Sequence, residues 1–74
     1  MTDTHVRLAK RILKEMIHLA EKKVDLNLFI GLGIALAFIY EETTGNFAGN
    51  MKLKEIMDWA NNLPNVARRD FDHA

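Results

Sequence analysis

The apolar positions of this chain fall into three segments with different rhythms. Between residues 4 and 23, Val6, Ala9, Ile12, Leu13, Met16, Ile17 and Ala20 recur at intervals of one or three. At about 100° per residue they share one half-circle with Leu8 and Leu19. The opposite side collects Arg7, Lys10, Arg11, Lys14, Glu15, His18, Glu21 and Lys22. The pattern predicts an amphipathic helix, with Thr2, Asp3 or Thr4 as N-cap and Lys22 and Lys23 at the end where cations are favoured.

The second segment, Leu26 to Tyr40, has no polar face. Asn27 is its only strongly polar side chain, and apolar residues occupy both parities, which rules out the alternation of a half-buried strand. Asp25 is a good N-cap and Gly45 a good C-terminal stop, so the segment predicts a helix over 25–44 despite Gly31 and Gly33, each costing about 1 kcal/mol of helix preference. Gly45, Asn46, Gly49 and Asn50 then mark a loop. From 51 to 63, Leu53, Ile56, Met57, Trp59, Ala60 and Leu63 face one way and Lys54, Glu55, Asp58 and Asn61 the other, with Asn50 placed to cap and Pro64 to terminate. The expected fold is all-α: helices at about 4–23, 25–44 and 51–63 in one helical domain spanning residues 1–74, with 64–74 either a flexible tail or a further short turn of helix.

A helix apolar all round is a membrane span or the centre of an assembly. The apolar run of about fifteen residues before Glu41 and Glu42 falls short of the roughly 20 that a hydrocarbon core requires, so the membrane reading is set aside. Two neighbouring helices with one apolar face each cannot cover it. The expectation is therefore a bundle completed by a homodimer. Gly31 with Ala35, and Gly33 with Ala37, place small residues four apart on two sides of the helix and are the candidate self-association positions; relief of crowding inside one copy is the competing explanation.

Composition sharpens this picture. At 74 residues a chain buries only about 60% of the surface that its unfolded form exposes. With no cysteine, neither disulfides nor thiolate metal sites compensate, which again points to oligomerisation. Absence of cysteine and of a signal-peptide pattern makes a cytoplasmic protein the expected class. Formal net charge is zero, but residues 1–24 carry six Lys or Arg against Asp3, Glu15 and Glu21, a balance of +3, while residues 25–50 carry only Asp25, Glu41 and Glu42, a balance of −3. Such asymmetry can orient a partner or an antiparallel self-assembly.

Candidate chemistry is sparse. Glu15 and His18 have the Glu-x-x-His spacing of carboxylate-bridged metal bundles, yet both fall on the charged side of their helix, where such ligands would face away from a core. His5 and His73 lie near the termini without ligand spacing. There is no cysteine and no serine, the threonines at 2, 4, 43 and 44 sit where capping is expected, and Gly31-Leu32-Gly33 lies inside an apolar helix and not in a phosphate loop. No enzyme activity, metal or cofactor is expected.

The remaining surface feature is a basic row, Arg7, Arg11, Lys14, His18 and Lys22, aligned by spacings of four, three, four and four. It can meet phosphates or an acidic protein groove, or be a solvated face bordered by Glu15 and Glu21. Phe47 in the loop and Phe71 in the tail are candidate exposed anchors for a protein partner. The function expected is a small non-enzymatic oligomeric helical protein acting by macromolecular interaction, as regulator, inhibitor or adaptor; the alternative is a dimeric nucleic-acid-associated protein using the basic row twice.

Overall fold

The apolar stripe of the first segment becomes helix α1, Asp3–Lys22, which buries Val6, Ala9, Leu13, Met16 and Leu19. The structure is a computed structural model and describes residues 3–65. The buried set follows spacings of three and four, one narrow line down the helix. Leu8, Ile17 and Ala20, at the margins of the half-circle, are exposed.

Helix α1 ends in a Schellman arrangement without glycine. The Val24 N–H reaches the Leu19 carbonyl and the Lys23 N–H the Ala20 carbonyl, both at 3.3 Å, which satisfies two carbonyls of the last turn. The motif places its hinge residue in the left-handed region, and here that residue is Lys23, with φ 54°. Asp25, at φ 45°, then caps α2 (Leu26–Thr44), its carboxylate accepting from the Leu28 N–H at 2.9 Å. Two consecutive helices thus meet across a three-residue turn and pack against each other.

Helix α2 stops at Gly45, whose φ of 73° lets its N–H bond the Glu41 carbonyl at 2.9 Å. The hydroxyls of Thr43 and Thr44 donate to the carbonyls of Ile39 and Tyr40 in the same last turn, and the Thr44 oxygen accepts from the Asn46 N–H. The following loop is held by Glu41, whose Oε2 accepts from the Ala48 N–H at 2.9 Å and keeps Ala48 buried. A turn closed by the Met51 N–H on the Ala48 carbonyl leads to α3, Leu53–Asn61. Because Met51 closes that turn and Lys52 is the extended cap residue, and because the helix ends at Asn61, α3 is shorter than the 51–63 expected. It begins at Lys52, whose carbonyl accepts the first helical N–H groups while no side chain caps, so Asn50 does not serve as cap.

All three helices touch one another, the α1 and α2 pairing being the most extensive. The core combines the α1 stripe with Leu36 and Ile39 of α2, Ala48, Ile56, Ala60 and Leu63, and no polar or charged side chain among the described residues is buried in it. Gly33 lies where side chains of α1 and α3 press on α2: a Cβ there would lie 2.6 Å from Leu53 Cδ1 and 3.3 Å from Met16 Cε. Tyr40 and Trp59 meet edge to face with ring centroids 5.1 Å apart, fastening the end of α2 to α3.

Candidate interaction surfaces

A polar face tells a helix which way to turn, and α2 has none, so the positions of its neighbours decide. Gly33, Leu36 and Ile39 are its buried residues. Their spacing of three defines an inward line, and the residues half a turn away look outward. Leu26 is 70% exposed, Ile34 55% and Phe38 66%, with Leu28 and Ile30 nearly half exposed. Leu26, Ile30, Ile34 and Phe38 are spaced by four and form one ridge. Gly31 lies beside that ridge with open space where a Cβ would stand. Asn27 at one end and Glu42 at the other are exposed polar markers of its limits.

The four small residues named as self-association positions therefore do not share a surface. Gly33 is enclosed by Leu53 and Met16 of the same chain, and Ala37 packs against the core. Gly31 is open, and Ala35, four residues on, is half-buried. Crowding relief inside one copy accounts for Gly33, while Gly31 relieves no contact within its own chain.

The apolar surface continues toward α1. Leu32 joins Leu8 and Ile12 on the floor of a groove of about 660 Å3 whose walls are Arg11, Lys14, Glu15 and His18. A second groove of about 350 Å3, on the other side of α1, is lined by Lys10, Leu13, Lys14, Ile17, His18, Glu21 and Asn61. Lys14 and His18 stand on the ridge between the two. Arg7, assigned to the same basic row, is half-buried and partnered, so it does not present a freely solvated cation; Arg11, Lys14, His18 and Lys22 are exposed. Lys10 is committed to the fold, its Nζ donating to the Asn61 carbonyl at 3.2 Å, where a cation suits the end of α3.

Glu15 and His18 are both exposed, and among the described residues no group of three or more His, Cys, Asp or Glu is disposed to hold a metal ion. An apolar depression of about 320 Å3 lies at the α1–α2 turn, lined by Leu19, Ala20, Lys23, Val24, Leu26 and Phe29. Phe47 is 74% exposed in the loop after α2. Phe71 lies outside the described residues. By length and composition alone α2, at 19 residues, is apolar enough to cross a membrane, its last four residues being polar, and 17% of that stretch is buried within the chain.

Sequence reasoning did not separate the two sides of α2, nor did it find Glu41 as the residue that anchors the loop. The first needed the positions of α1 and α3. The second needed the loop to fold back over seven residues, which no local spacing announces. Comparison of the chain with protein-family models, curated proteins and solved structures gives no match.

Proposed function

We propose that this chain is a non-enzymatic helical interaction protein that works as a homo-oligomer and acts by binding another macromolecule, as a regulator, inhibitor or adaptor. The observation that carries the reading is the outward ridge of α2, where Leu26, Ile30, Ile34 and Phe38 lie exposed side by side. Together they make an apolar patch on the order of a few hundred Å2, the size at which exposed apolar surface marks contact sites. Exposed apolar area of that size on a 74-residue chain costs stability that the chain can recover by association. The core supports the same reading from the other direction: α1 and α3 pack on the side of α2 that carries Gly33, Leu36 and Ile39 and leave Ile30, Ile34 and Phe38 exposed.

The nucleic-acid alternative rests on Arg11, Lys14 and His18. It has less support, because Glu15 lines the same groove and the chain carries no net charge to drive counterion release. The test of oligomerisation is unfolding by urea at several protein concentrations. Mass action makes the midpoint of an associating protein rise with concentration, and a hundredfold increase should raise apparent stability by about 2.7 kcal/mol once the dimer dominates. A midpoint that stays constant from about 1 to 100 μM would overturn the reading.

A further inference from the structure

The geometry points to a specific assembly: two copies of this chain pair through the outward face of α2, antiparallel, with the two-fold axis passing near Ile34. This rests on the oligomeric reading above and assigns the surface and direction. Leu26, Ile30, Ile34 and Phe38 are each about half exposed or more, apolar surface that a second copy removes from water on both partners at once. A two-fold interface uses the same patch on both copies, and Ile30 and Phe38 lie equidistant from Ile34, while Leu26 falls opposite Glu42. Gly31, with no neighbour within 4 Å of a Cβ, leaves a notch beside Ile34 into which the partner's ridge can settle.

Charge selects the direction. Residues 25–50 contain no Lys or Arg, so parallel pairing would set the exposed Glu42 carboxylate of one copy against that of the other, Glu41 being engaged by the Ala48 N–H. Antiparallel pairing about Ile34 brings position 26 opposite position 42, roughly 24 Å along the helix from one another within a single copy. Glu42 of each copy then lies beside the α1–α2 turn of its partner, where Lys22 and Lys23 are exposed. Asp25 shares that turn but its carboxylate is engaged by the Leu28 N–H, and two lysines outnumber it. Opposed helix dipoles favour the same direction.

Because the chain has no cysteine, single-cysteine variants report the geometry directly. In otherwise unmodified full chains, mild oxidation should link Ile34→Cys to itself. Ile30→Cys and Phe38→Cys should each remain largely unlinked alone but should link to each other when mixed. A second readout does not depend on these substitutions: Glu42→Lys should weaken the dimer about tenfold, and adding Lys22→Glu and Lys23→Glu to it should restore most of the loss. Self-linking of Ile30→Cys and Phe38→Cys as efficient as that of Ile34→Cys would mean parallel pairing and overturn the inference while leaving oligomerisation intact. A dimer in which none of the three links, or in which Glu42→Lys is silent, would place the interface elsewhere. If the wild-type chain is monomeric in water and co-floats with phosphatidylcholine vesicles, a bilayer covers α2, and both this inference and the oligomeric reading fall.

Discussion

The two sides of α2 carry similar side chains and have opposite fates. Inward, Leu36 is fully enclosed and Gly33 is pressed between Leu53 and Met16; outward, Ile34 is more than half exposed and Gly31 faces open space. Neither hydrophobicity nor helix preference distinguishes Leu36 from Ile34, or Gly33 from Gly31. What differs is which positions α1 and α3 reach. A helix can thus be uniformly apolar although only one of its sides forms the core of its own chain, the other being left exposed by its neighbours.

Mutation should separate the two reasons cleanly. The largest effect is expected from Leu36→Ala, which leaves a cavity in an enclosed site and should cost about 3 kcal/mol of unfolding free energy at any protein concentration, measured by urea denaturation. Ile34→Ala in the same assay should change the dissociated chain by no more than about 0.5 kcal/mol, its effect appearing only where copies associate. Equal losses at the two positions, independent of concentration, would erase the distinction between the faces.

The glycines sharpen the comparison, because one substitution should act with opposite signs. Alanine in place of Gly31 meets nothing and gains helix preference, up to about 1 kcal/mol in the dissociated chain. Alanine in place of Gly33 gains the same preference but must displace Leu53 and crowd Met16, which is fully buried, for a net loss of about 1 kcal/mol. Thermal unfolding of the two variants under dilute conditions checks the signs. The smallest effect belongs to the turn that aims α2: Lys23 sits at φ 54°, and Lys23→Gly should stabilise by roughly 0.5 kcal/mol by removing left-handed strain, partly offset by a more flexible unfolded chain.

How far these features were legible in the sequence follows from the same physics. The inward line of α1 could be read, since Val6, Ala9, Leu13 and Met16 alternate with charged residues that fix the phase of the helix. The caps of α2 could be read too, because Asp25 and Gly45 act within their own turns. On α2 itself the pattern carries no phase, so Gly31 and Gly33 were indistinguishable until tertiary contacts separated them. The start of α3 was misplaced for a related reason: Met51 continues the apolar pattern but is held in a turn closed on Ala48, which Glu41 positions from another element. In the basic row, Arg11, Lys14, His18 and Lys22 are exposed, whereas the half-burial of Arg7 depends on neighbours that helical spacing does not include.

Whether a second copy covers the outer face of α2 is tested most directly by sedimentation equilibrium of the wild-type chain beside Ile34→Lys, over about 1 to 100 μM, the range in which weak and moderate dimers of this area dissociate. The account predicts that the wild type moves from the mass of one chain toward twice 8.5 kDa as concentration rises, while the variant stays at the single-chain mass with its helical content retained. A wild-type chain that is fully helical and remains at 8.5 kDa throughout would contradict it.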